Sequence, residues 1–337
     1  MARKRMKSKI QPAVMTMTFV FQSLDAGKER RFIDLSQCAS IMNRRFYRQG
    51  LNWAVAGFKV LTNSPGQISI SKLPNTWVMS NAWEKSFRAW QQMIKNATDE
   101  AGSESIKGKF LDFKIYADVD HHASGFANNL IPHSGATLSS PIQTATPGQW
   151  QPSEIEIPNI SPGTTGQSVT WEMIAVGPNN PGVGASGYNA KSLIVGYANS
   201  RALPDIEDPN VPDDASNPGQ NWLLSMFTDG TEQDVDVIDM LEITGDKAPY
   251  PYENDGTHTD TMYPGGETQL NSLEIHDQEY ITTTTIGGTT RLKGGNFPCG
   301  LISIDTFGFA RDEGLVLQVQ LVPGDHRGYL CEPMTEM

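Results

Sequence analysis

Gly314-Leu-Val-Leu-Gln-Val-Gln-Leu-Val-Pro323 decides the fold class. Leu315, Leu317, Val319 and Leu321 recur at every second position, Gln318 and Gln320 lie between them, and Pro323 closes the run. A period of two puts the apolar side chains on one face of an extended chain and the glutamines on the other, which describes a half-buried β-strand. The same alternation runs through residues 15–21, where Met15, Met17, Phe19 and Phe21 share a face opposite Thr16 and Thr18. Further strands are predicted over 51–62, 67–72, 110–116, 169–176, 193–198, 280–286 and 301–307.

Composition agrees with a β protein rich in connections. The 337 residues include 31 Gly and 21 Pro, and charged residues make up only 19%; loops and turns account for such usage better than helices do. Two helices are nevertheless predicted. One is short, capped by Ser36, with Ala39, Met42 and Phe46 on its apolar face and Arg44, Arg45 and Arg48 in its last turn, where cations suit the helix dipole. The other opens on Asn81 and Glu84, spaced as a capping box, and carries Ala82, Trp83, Phe87, Trp90 and Ile94 on one stripe. Long Pro-, Gly-, Asn- and Asp-rich connections cover about 120–167, 177–190, 199–220 and 245–272. Connections of this length usually carry function. Many strands without parallel βαβ alternation point to an all-β fold, a double-sheet jelly roll or related Greek-key sandwich with short helical insertions. The expected organisation is a basic arm over 1–11 and a single domain over 12–337.

Charge is sorted along the chain. The first nine residues hold Arg3, Lys4, Arg5, Lys7 and Lys9. Residues 1–114 contain 19 Lys and Arg against 8 Asp and Glu, whereas the remaining 223 contain 7 against 30, for a formal net charge of −12. A cationic start on an acidic body suits a protein that meets a polyanion at one surface and turns another surface away from it. The arm lacks aromatic residues, so contacts through it are directed to phosphate and indifferent to sequence. A basic segment of this kind also reads as a nuclear-localisation signal.

Motifs for catalysis are missing. GxxxxGK[ST], GxSxG, HExxH and a strand-linked GxGxxG do not occur, so no enzymatic activity and no cofactor are expected. Asp118-Val-Asp-His-His122 is the densest polar cluster; on a strand end, Asp118 and Asp120 would share a face and could hold a divalent cation with His122, against the plainer reading of a solvated loop. The acidic runs at 205–208, 213–214 and 229–239 lack EF-hand spacing and read as exposed faces. Cys38, Cys299 and Cys331 have neither disulfide-framework nor zinc spacing and read as buried thiols. No run of 18 apolar residues occurs, so membrane insertion is not expected. The alternation of 13–21 argues against a secretory signal and for synthesis in a reducing compartment.

Phe19-Val-Phe-Gln-Ser-Leu24, the stretch Met42-Asn-Arg-Arg-Phe-Tyr-Arg-Gln-Gly-Leu-Asn-Trp-Ala-Val-Ala-Gly-Phe-Lys-Val60, Trp77-Val-Met-Ser-Asn-Ala-Trp83, Phe110-Leu-Asp-Phe-Lys-Ile-Tyr116, Leu315 to Val322 and His326-Arg-Gly-Tyr-Leu330 follow one another in a familiar order. The chain resembles the capsid proteins of small circular single-stranded DNA viruses that encode a replication initiator, the smacovirus-like and circo-like group. The resemblance implies a single viral jelly roll, self-assembly into an icosahedral shell of 60 copies or a multiple, and a virion or host nuclear and cytoplasmic location. It also implies an inward arm on genomic DNA and outward loops that meet a cell-surface receptor. Host import factors are the partners implied by nuclear assembly. Arg3, Lys4, Arg5, Lys7 and Lys9 match the family's arm, which in circoviruses is long and very Arg-rich; charge sorting adds Arg30, Arg31, Arg44, Arg45 and Arg48 as nucleic-acid contacts. Five arm charges on about 60 copies give on the order of 300, too few for a genome of kilobase length. A capsid of a small positive-strand RNA virus is the nearest alternative, and a carbohydrate-binding or adhesive β-sandwich is the alternative from another class.

Overall fold

The computed structural model describes residues 11–24, 27–102, 112–135, 143–159, 167–200, 271–284 and 288–336. Residues 1–10 of the basic arm, the acidic runs and the connections at 199–220 and 245–272 lie outside the described residues, apart from the ends of the last two. In chain order the elements are β1 (Thr16–Gln22), β2 (Glu29–Asp34), α1 (Leu35–Asn43), β3 (Leu51–Leu61), β4 (Gly66–Lys72), α2 (Trp77–Ala101), α3 (Val119–Ser124), β5 (His133–Gly135), β6 (Gln143–Thr144), β7 (Ile155–Asn159), β8 (Gln167–Ile174), β9 (Asn189–Ser192), α4 (Leu193–Ser200), β10 (Glu274–Ile281), β11 (Thr289–Phe297), β12 (Leu301–Phe307), β13 (Gly314–Leu321), β14 (Pro323–Gly324), β15 (Gly328–Tyr329) and β16 (Cys331–Pro333). They form two compact units, one drawn from 1–75, 127–150 and 274–337, the other from 76–126 and 151–273.

The first unit is built of antiparallel sheets. One has the order β1-β13-β3-β11, with β16 also on β3; the other has the order β10-β4-β12-β2. The pairing is nested: β1 lies against β13, β2 against β12, β3 against β11 and β4 against β10, all antiparallel. Two further pairings, β13 on β3 and β12 on β4, close each sheet. Register follows the period-two pattern. Phe19 faces Leu317, Met17 faces Val319 and Phe21 faces Leu315, so the apolar faces of β1 and β13 coincide. Both sheets direct such faces into one core, where Ile68 and Ile70 of β4 and Ile302 and Ile304 of β12 join Trp53, Phe58 and Val60 of β3. Each such side chain contributes about 1.5–3 kcal/mol through burial. Gly294 lets β11 approach β3, since a Cβ there would sit 2.2 Å from the Val55 carbonyl oxygen.

The second unit occupies, in sequence, the connection between β4 and β10. It holds α2, α3, α4 and the sheet β7-β8-β9, in which β8 and β9 run parallel. Several local readings change here. Residues 193–198 are helix α4, not a strand: an apolar run this short fits either period, and the contacts of Tyr197 decide, its hydroxyl accepting from Asn81 Nδ2 at 3.1 Å and its ring meeting Trp77 edge-on. Helix α2 starts five residues before Ala82 because Thr76 caps it, its hydroxyl accepting from the Met79 N–H, so Asn81 and Glu84 lie inside the helix. The described part of 110–116 forms only a single bridge, Tyr116 to Ile174. No helix among the described residues is long and apolar enough to cross a membrane.

Candidate nucleic-acid interface

The chain leaves the arm at Gln11 and is fastened before it enters β1. Val14 N–H donates to Asn43 Oδ1 at 3.0 Å, and the Val14 carbonyl accepts from the Tyr329 hydroxyl at 2.7 Å. Asn43 Nδ2 in turn donates to the Tyr329 hydroxyl, so the last residue of α1 and the end of β15 clamp the arm root together. Burial above all raises the Tyr329 phenol to about 12, which keeps it a donor at any physiological pH.

Arginines gather at this root. Arg45 Nη1 donates to Gln11 Oε1 at 3.1 Å and to the Pro12 carbonyl at 3.3 Å. Arg327, from the turn before β15, donates to the Phe46 carbonyl, while the Tyr47 hydroxyl donates to the Arg327 carbonyl at 2.9 Å. Arg44 and Arg48 are exposed. Among the described residues none of the four forms an ion pair with a carboxylate. The neighbouring His326 is held below the usual histidine range by burial first and Arg327 second, so it stays neutral at neutral pH.

The helix that carries this group differs from its sequence reading. Asp34, not Ser36, caps α1: its carboxylate accepts from the Ser36 and Gln37 backbone N–H groups. The helix ends at Asn43, and Arg44 takes the left-handed conformation at φ 53°. Arg44 therefore caps α1, and Arg45 and Arg48 lie beyond it; none of the three stands in its last turn. Two residues with left-handed backbone, Arg44 and Arg327 at φ 51°, belong to the same group; arginine there costs about 1–2 kcal/mol over the right-handed form.

Arg30 and Arg31 do not join it. Arg30 holds Asp305 through two bonds of 2.7 and 3.1 Å, and Arg31 bonds Glu29 and the Gln22 carbonyl. Gln22 ends β1 at the side opposite the arm root, about 20 Å along a seven-residue strand. The five arginines added from charge sorting thus separate into two places, and each arginine of the distant pair already meets a carboxylate. Arg3, Lys4, Arg5, Lys7 and Lys9 lie outside the described residues.

The Asp118 cluster belongs to the second unit and has a structural use. Asp118 caps helix α3, accepting from the His121 N–H at 2.9 Å, so it does not end a strand with Asp120 beside it. His122 is buried with Nε2 2.9 Å from Glu172 Oε2, off the axis of a hydrogen bond, and Gly184 lies so close that a Cβ would sit 2.5 Å from the ring. No group of three or more His, Cys, Asp and Glu among the described residues is placed to hold a metal.

Four contributors escape sequence reading: Asp34, Trp150, Arg327 and Tyr329. Trp150 Nε1 donates to Asp34 Oδ2 at 2.9 Å across 116 positions of sequence, a separation that local pattern does not register. Arg327-Gly328-Tyr329 carries only a turn signal. Against family models, curated proteins and solved structures, the chain has no match.

Proposed function

We propose that this chain is the shell-forming capsid protein of a small single-stranded DNA virus, and that the arm and its root hold the genome. The observation that carries the reading is the nested pairing of eight strands, first with last through to fourth with fifth. We read a ribbon so paired, lying in the two antiparallel sheets β1-β13-β3-β11 and β10-β4-β12-β2, as a jelly roll, a fold used by viral capsids and lectins. Charge favours the capsid member of that pair. The arm enters the fold beside Arg44, Arg45, Arg48 and Arg327, while the residues beyond position 114 carry the acidic excess. Phosphate contacts at the arm root would supplement the five arm charges.

The purified full chain is expected to assemble into closed particles visible by negative-stain microscopy and to carry single-stranded DNA whose release rises steeply with salt. Dispersed monomers across a range of salt and pH would overturn the capsid reading. Removal of residues 1–9 should lower nucleic-acid content with little loss of stability, because an exposed terminal arm contributes little buried area; unchanged content would remove the tether role. Sequencing the recovered nucleic acid distinguishes a DNA from an RNA genome.

Arg44→Gly separates binding from folding. Glycine accepts φ 53° freely, and its greater chain entropy offsets much of the relief, so unfolding stability should change by no more than about 1 kcal/mol. The slope of log affinity against log salt should fall by about one phosphate contact. An unchanged slope would take Arg44 out of the interface.

A further inference from the structure

Phe46 stands in the middle of the arginine group and is 48% exposed. Its ring is 6.2 Å from that of Trp150, with the planes at 51°, and the Trp150 indole is tied to Asp34, the cap of α1. Its own carbonyl is held by Arg327. The ring is therefore carried on anchored backbone and backed by a second anchored aromatic. Single exposed apolar residues are common and need no explanation by themselves. The surroundings distinguish this one: Arg44, Arg45 and Arg48 lie within two residues of it, so their backbones are no more than about 7 Å away. Cations beside an open aromatic face are what a single-stranded polynucleotide requires, phosphate to guanidinium and base to ring.

We propose that Phe46 is a stacking shelf for an unpaired base, and that the arm root thereby selects single-stranded over double-stranded nucleic acid. The proposal deepens the nucleic-acid role given above and rests on it. The arm alone touches phosphate and treats any polyanion alike, whereas the shelf needs a base that is free of its partner. Every base has a π face, so the preference is for strandedness and carries no sequence.

The test uses the full chain before assembly and fluorescence anisotropy with three labelled probes of roughly 20 nucleotides, longer than a single-strand site usually spans: oligothymidylate, an abasic strand with the same phosphates, and a duplex. The expected result is that oligothymidylate binds about tenfold or more tightly than the abasic strand. Phe46→Ala should abolish that preference while leaving abasic binding and its salt slope unchanged and lowering the thermal midpoint by no more than a few degrees; Phe46→Trp should restore it. Arg48→Ala should weaken oligothymidylate and the abasic strand alike. A preference that survives Phe46→Ala, equal affinity of the native chain for the base-bearing and abasic strands, or tighter binding of the duplex would each overturn the shelf and leave the phosphate contacts standing. Failure to bind any probe at low salt would overturn the nucleic-acid role itself.

Discussion

Asp34→Ala should lower the stability of the sandwich by about 3 kcal/mol or more. The carboxylate is fully buried and accepts from four donors: the Ser36 and Gln37 backbone N–H groups, Gln49 Nε2 at 3.1 Å and Trp150 Nε1. Truncation leaves two N–H groups at the start of α1, the buried Gln49 amide and the half-buried Trp150 indole without this acceptor. Losing the cap costs about 1 kcal/mol, and each stranded buried donor costs a further 1–3. Trp150 also loses its tether, so binding at Phe46 should weaken in the same variant. Urea denaturation measures the first effect; a loss below about 1 kcal/mol would mean that water takes over the four donors.

The same residue gives the sandwich a pH dependence. Burial raises the Asp34 carboxyl to about 6 from an ordinary 3.8, outweighing the bonds from Trp150, Gln37, Gln49 and Ser36 that favour the charged form. The folded chain therefore binds this proton more tightly than the unfolded chain does. Its contribution to stability is fully present below about pH 3.8, declines as the pH rises through about 6, and is constant above that. Asp34→Asn has no such proton, so the difference in stability between variant and native chain should change across this window and level off at higher pH. A difference that stays constant from pH 4 to 7 would contradict the raised value.

His122→Ala should destabilise the second unit by about 1–3 kcal/mol or more. Glu172 is fully buried, no hydrogen-bond donor reaches its carboxylate oxygens among the described residues, and the His122 imidazole 2.9 Å away is its compensation. Tyr116 packs edge-on against that imidazole and stacks on Phe126, so truncation also opens a cavity. Replacing both partners with leucine should recover much of the loss, because no buried polar group is then left without its partner. Equal stability of His122→Ala and the native chain would show that the pair contributes nothing; a double variant no better than the single would assign the cost to packing alone.

The two halves of the fold differ in how far sequence alone discloses them. Strands β1, β3, β4, β12 and β13 could be read within a residue or two: β1, β3 and β13 bury one face more than the other, and in β4 and β12, buried on both faces, serine between isoleucines still writes the strand as alternation. Residues 193–198 failed for the complementary reason. Leu193, Ile194 and Tyr197 are buried with little polar contrast between them, and without contrast the period is invisible. The same holds for α1: Ala39, Met42 and Phe46 continue a helical spacing past the point where Arg44 turns the backbone, and spacing does not record that turn.

For the candidate interface, sequence determined the charge sorting, the alternating strands and the presence of Arg44, Arg45 and Arg48 close together, since these are properties of composition and short-range order. Tertiary structure decided which arginines meet the arm. Arg30 and Arg31 are as near in sequence to the arm as the others, yet pairing of β2 with β12 gives Arg30 to Asp305, and Arg31 bonds Glu29 and Gln22 at the far end of β1. Arg327 is the converse, more than 300 positions beyond the arm in sequence and brought to its root by the last strands of the ribbon. The reason is the nested pairing itself. It joins the beginning of the chain to its end, and contacts made across that distance depend on the register of strands rather than on any local pattern of residues.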